Sequence, residues 1–302
     1  MSLVSLVRVV RVTPVAFKEA IERSLRLLNF NYRIEDKDIE KVVIKPNLCY
    51  YYDYSTGRTT DPGFIGALVD LLRERISSDM RIFVVESDAS AMRCRYAFRM
   101  LGYEKMAREK GVALINLSED KTRKIKTNPK HHVFNECHIP RTIDDADLLI
   151  NVPVIKLCPH PIKISCALKN MYGCNPYPRK SKYHANLDET IVDLNKIMKP
   201  DLCIVDGIIA NGPTPVKLGL VMASRDQVAI DAVASRIVGH DPEKVGHITL
   251  AFAEGMGNIH PVYIGDNLND FKKRFSRRRL IRDFLFSKVV RSIYSFHFGR
   301  VV

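Results

Sequence analysis

Short apolar runs alternate with helical stripes along most of this 302-residue chain, and that alternation restricts the fold more than any other feature. The runs fall at residues 3–12, 41–44, 81–85, 113–117, 147–152, 202–205, 218–223 and 261–264. Between them, Pro14 opens a segment that places Phe17, Ile21, Leu25 and Leu28 on one stripe. Asp61 and Pro62 open another, with Asp61 as a cap and Ile65, Leu68, Val69 and Leu72 facing inward. The same periodicity predicts helices over 94–110, 187–198, 226–238 and 242–254. Strands alternating with helices of this length give an α/β fold, a mostly parallel sheet with helices on both faces. Residues 119–138 are polar, rich in Lys and His and aperiodic, which leaves a loop or a small antiparallel insertion.

The composition is that of a globular chain with a sizeable core, 46% hydrophobic and 27% charged. No apolar run approaches the roughly 20 residues that cross a bilayer. At the N-terminus, Arg8 and Arg11 interrupt the apolar run with a strand-like period, so the segment is expected to be structure, and the chain cytoplasmic. Seven cysteines, an odd number without any C-x-x-C, argue against a disulfide framework. The net charge of +13 is uneven: residues 271–302 hold ten Lys or Arg against one acid, Asp283. The expected organisation is an α/β domain over 1–270, followed by a basic, amphipathic, helical C-terminal extension over 271–302.

Four polar motifs each follow an apolar run: Lys45-Pro46-Asn47, Glu86-Ser87-Asp88, the stretch from Asn151 to Lys156, and Asp206-Gly207. In open parallel sheets the ligand crevice lies outside the carboxyl ends of the strands, so distant segments can meet in one cleft. The densest cluster is residues 151–173, which gather Lys156, His160, Lys163, Lys169 and Asn170. Lysines packed together lower one another's pKa or demand a bound anion. A neutral lysine is a base or a Schiff-base nucleophile, whereas a charged one clamps an anion. Lys45, Asn47, His160, Lys163, Lys169 and Asn170 are the expected ligand-binding residues. Lys156, His184 and Asp206 are the expected catalytic ones, His184 because imidazole titrates near neutrality. Asp231 lies inside an apolar helical run and needs a partner, a site lysine or an arginine such as Arg225.

Lys45-Pro46-Asn47-Leu48, the run from Asn151 to Lys156, Leu168-Lys169-Asn170, Gly173, His184, Asp206-Gly207 and the stretch from Asp226 to Asp231 together resemble the "domain of unknown function 362" family. The resemblance extends over about 42–265. It marks the same positions as a site but implies no common reaction.

The leading expectation is an enzyme, or enzyme-like binder, of a small anionic or carbonyl-containing ligand. Its substrate, reaction and cofactor are left open, and no metal ligands are assigned. Two alternatives stand beside it. The basic extension can make the chain an adaptor for nucleic acid or an anionic membrane surface. Cys158, Cys166 and Cys174, at an interval of eight, can make it a metal or iron–sulfur redox protein.

Overall fold

The computed structural model describes residues 2–32, 38–127, 131–272 and Phe275. In chain order the elements are β1 (Leu3–Arg8), α1 (Pro14–Leu27), β2 (Lys41–Pro46), α2 (Pro62–Arg75), β3 (Arg81–Glu86), α3 (Cys94–Met100), α4 (Tyr103–Lys110) and β4 (Ala113–Asn116). Then come β5 (Thr122–Lys126), β6 (Glu136–Pro140), α5 (Arg141–Asp144), β7 (Leu148–Val152), β8 (Val154–Leu157), β9 (Ile164–Ser165), α6 (Ala167–Met171) and α7 (Leu187–Ile197). The last are β10 (Leu202–Asn211), β11 (Val216–Ser224), α8 (Gln227–Ile237), α9 (Gly246–Ala253) and β12 (Val262–Gly265).

The main sheet runs β12-β1-β11-β10-β7-β2-β3-β4, with β8 beside β10 and β9 beside β8. Strands β10, β7, β2, β3 and β4 are mutually parallel, while β11 is antiparallel to both its neighbours. The fold is therefore a mixed, mostly parallel α/β fold. Strand alternation sends successive side chains to opposite faces. Val42, Ile44, Leu148, Ile150, Leu202 and Ile204 pack under α1 to α4. Val43 and Leu149 pack with α7, and Cys203 and Val205 with α6 to α9. Thr13 and Asp61 cap α1 and α2 through side-chain oxygens, and proline follows each.

Four boundaries differ from the periodicity, one of them the helix expected over 242–254, in which α9 begins only at Gly246. The N-terminal run leaves the sheet after Arg8, and Val10 and Val12 stand exposed before the cap at Thr13. The helix expected over 94–110 breaks at Leu101 and Gly102, where Gly102 takes φ 82°. Strand β10 does not end at Val205 but continues to Asn211. Residues 119–138 contain the antiparallel pair β5–β6. No described helix is long and apolar enough to cross a membrane.

Of the basic extension, residues 273–274 and 276–302 lie outside the described residues. Phe271, however, is fully buried beneath the Arg8 guanidinium, 5.0 Å from its ring centroid. Phe275 is buried with it in the α8–α9 core and abuts Gly212. Truncations that probe the tail should therefore begin at 276, because removing Phe271 and Phe275 empties part of the core.

Candidate functional site

The strand-end motifs of β2, β3 and β8 meet in a cleft of about 290 Å³, at the small end of ligand sites. Lys45 and Asn47 come from the end of β2, Glu86 and Ser87 from the end of β3, and Lys156 from β8. Lys169 and Asn170 come from α6, and His184 from the 3₁₀ segment Lys180–Asn186. Six of the nine sequence-predicted residues thus line one concavity: Lys45, Asn47, Lys156, Lys169, Asn170 and His184.

The other three lie elsewhere. Asp206 is buried on the opposite side of the sheet, where it accepts hydrogen bonds from Asp61 N (2.9 Å) and Ile208 N (3.3 Å). The physical reason is parity: Leu202, Ile204 and Asp206 share the face that packs on α2, and β10 is in mid-course there. Burial pushes the Asp206 carboxyl up to about 7, and the amides of Asp61 and Ile208 oppose that rise. Asp206 therefore anchors the start of α2. His160 and Lys163 sit at the turn between β8 and β9, closed by Cys158 N to Lys163 O (2.8 Å). His160 is exposed, and the Lys163 ammonium donates to Lys244 O, away from the cleft.

Lys45 is part of the cleft wall rather than a free cation. Its side chain is fully buried, and Nζ donates to Glu86 Oε2 (2.8 Å) and Pro46 O (2.7 Å). Glu86 also accepts from Leu48 N (3.3 Å) and Ser87 N (2.9 Å). Gly173 closes over this ion pair; a Cβ there would lie 2.8 Å from both Glu86 Oε1 and Lys45 Nζ. Among the described residues lining the cleft, Glu86 is the one carboxylate, and Lys45 engages it. Lys156, Lys169 and Lys180 thus leave the cleft with an excess of positive charge.

Lys180 is the site residue that sequence reasoning missed. It is buried, and its Nζ donates to Ser87 Oγ and to Gly173 O (3.3 Å). Burial pushes its pKa down to about 8, with Glu86 opposing and Lys45 adding to the shift. The loop also offers Arg179 and Lys182, and nothing in the sequence marks Lys180 as the buried one. Burial also pushes the Lys156 ammonium down; the Cys49 thiol opposes this, and the Lys169 charge reinforces it. Lys169 is half-buried, 5.8 Å from the Tyr172 ring centroid. His184 is exposed at the mouth, 6.4 Å from the same ring.

The Lys180 shift fixes the sign of a pH effect. The folded pKa lies below the ordinary 10.5, so the unfolded chain binds more protons between about 8 and 10.5. The contribution of Lys180 to stability should therefore rise across that window, and Lys180→Met should lose the rise. Denaturant melts of both proteins at stepped pH check this, and parallel profiles would place Lys180 in water.

The expectations for the cysteine cluster and for the partner of Asp231 are corrected. Cys158, Cys166 and Cys174 do not converge, and no group of three or more His, Cys, Asp or Glu able to hold a metal occurs among the described residues. Burial raises the pKa of all three thiols, that of Cys174 to about 12, so they remain protonated. The carboxylates Glu86, Asp88, Asp206 and Asp231 each have separate partners. Asp88 takes Arg93 Nη1 (2.9 Å) and Cys94 N (2.8 Å). Asp231 is bound neither by a site lysine nor by Arg225. It accepts from Ala167 N and from Leu168 N (3.2 Å), with His247 Nε2 at 3.8 Å.

Over 137 residues the chain is 35% identical to the thylakoid-associated protein sll1697 of Synechocystis sp., a match covering 41% of this chain and 42% of that relative. The chain therefore matches less than half the length of that relative. A partial structural likeness exists to the lactate racemase apoprotein from Thermoanaerobacterium thermosaccharolyticum, with TM-score 0.45 and 9% identity over 78% of this chain and 57% of that one. The family model of the domain of unknown function DUF362 matches residues 42–236, which span the cleft from β2 to α8, and the chain belongs to that family.

Proposed function

We propose that the cleft binds a small anionic or carbonyl-bearing ligand and acts on it as an enzyme or an enzyme-like binder. The observation that carries this is the excess of lysine over carboxylate in a confined, partly buried space. Buried like charges repel and are poorly solvated, so an anion seated among them relieves both costs. Lys156, Lys169 and Lys180 are the anion clamp. Lys156, pushed towards its neutral form, is the candidate proton acceptor or nucleophile towards a carbonyl. His184 at the mouth is the candidate proton shuttle. Asp206 has no place in this scheme because it lies across the sheet. A cytoplasmic location belongs to the same proposal; thylakoid association is named for the relative.

Sulfate and phosphate should raise the melting temperature, because a ligand that binds the folded state stabilises it by about 2.7 kcal/mol at a hundredfold excess over Kd. Lys169→Met and Lys156→Met should each remove much of that gain while keeping the aliphatic stem in place. Equal stabilisation of wild type and both variants would reject the clamp.

A further inference from the structure

Five side-chain amides form a continuous chain from the α7–α8 core to the cleft. Asn195 Nδ2 donates to Leu168 O and Ile191 O, both at 2.8 Å. Its oxygen is therefore the acceptor for Gln227 Nε2 (2.9 Å). Gln227 Oε1 takes Asn151 Nδ2 (2.6 Å), which also donates to Ala167 O (2.9 Å). Asn151 Oδ1 takes Asn170 Nδ2 (2.7 Å), which also donates to Lys45 O (3.1 Å). Asn170 Oδ1 takes Asn47 Nδ2 (3.0 Å).

Backbone carbonyls fix the polarity. Turning over Asn195, Asn151 or Asn170 would set an amide oxygen against a carbonyl oxygen, so these amides share one direction. The direction leaves Asn47 with its oxygen to spare. Asn47 Oδ1 is buried in the cleft wall and has no hydrogen-bond partner. A buried acceptor left unmade costs about 1–3 kcal/mol, and such a group calls for an explanation.

We infer that Asn47 reads a hydrogen-bond donor on the ligand: the anion that the lysines hold carries an O–H or N–H of its own. The inference rests on the anion reading above and narrows it. Lysines attract any small anion of fitting size, whereas an acceptor held rigidly by an amide chain discriminates against anions that have nothing to donate. A site that pairs one donor favours the ligand carrying it and leaves its own acceptor orphaned with the ligand that lacks it.

Near neutral pH, hydrogen phosphate has an O–H and sulfate has none, while the two are alike in shape. Titration calorimetry on the full chain should show phosphate binding about tenfold or more tighter than sulfate, corresponding to one recovered hydrogen bond. Asn47→Leu should bring the ratio to about one. That variant also strips the donor from Asn170 Oδ1, so a second comparison uses the unaltered protein. Glycolate, which differs from acetate by one hydroxyl, should bind more tightly than acetate. Equal affinities within both pairs, or a phosphate preference that survives Asn47→Leu, overturn the donor reading while the anion clamp stands. If none of the four anions binds, the clamp and the donor reading fall together.

Discussion

Glu86→Ala should destabilise the protein by roughly 3–5 kcal/mol, the usual cost of removing one partner from a buried ion pair. Lys45 Nζ has no exposed surface, and after the change it retains Pro46 O but no counter-charge. The amides of Leu48 and Ser87 lose their acceptor in the same step. Replacing both members, Lys45→Met with Glu86→Leu, should cost much less than Glu86→Ala, since an apolar pair of similar volume avoids desolvating either charge. Denaturant unfolding of the three proteins measures this. A loss below about 1 kcal/mol in Glu86→Ala would mean that Lys45 reaches water and that the pair is not sealed in the cleft wall. The consequence for function is direct: Lys45 is spent on Glu86, and anion affinity belongs to Lys156, Lys169 and Lys180.

The elements were legible because apolar periodicity and strand length are local properties. The eight predicted runs all became strands, helices start at Pro14 and Pro62 as expected, and Asp61 caps the second of them. The gathering of Lys45, Asn47, Lys156 and Lys169 was legible because strand ends of a parallel sheet share one edge. Asp206 failed the same rule for a reason the sequence contains. Counting by twos from Leu202 and Ile204 puts Asp206 on the α2 face, whereas Val43 and Lys45 point the other way. Other features were not legible. Lys180 and Lys182 are alike in sequence, and the choice between them is made by a 3₁₀ turn that folds one beneath Ser87. The amide chain left only a faint trace, polar Asn195 and Gln227 on helical faces otherwise given to apolar residues. Apart from Ile191, their partners lie 27 to 76 positions away in sequence.

Asp231→Ala should cost about as much as the loss of Glu86, roughly 3–5 kcal/mol, and should weaken anion binding as well. Asp231 is fully buried and accepts from the first two amides of α6, the five-residue helix that carries Lys169 and Asn170. A helix that short has no intrinsic stability, so its position depends on what holds its ends. Removing the carboxylate leaves Ala167 N and Leu168 N buried without an acceptor, and His247 without the acid at 3.8 Å. Asp231→Asn keeps one acceptor and should lose less, about 1–3 kcal/mol. The pH dependence tests the burial of the carboxylate. Burial raises the Asp231 carboxyl from the ordinary 3.8 to about 6, while His247 and the two amides hold it from rising further. Between those values the folded state binds more protons than the unfolded chain, so the Asp231 contribution to stability falls as pH rises from about 4 to 6. Above that window the charge is present in both states and its cost is constant. Asp231→Asn should abolish this slope and Asp231→Ala should abolish it too, but Asp231→Asn alone should retain most of the sulfate affinity. If both variants bind sulfate as wild type does, α6 is held by Asn170 and Asn195 through the amide chain, and Asp231 serves the core alone.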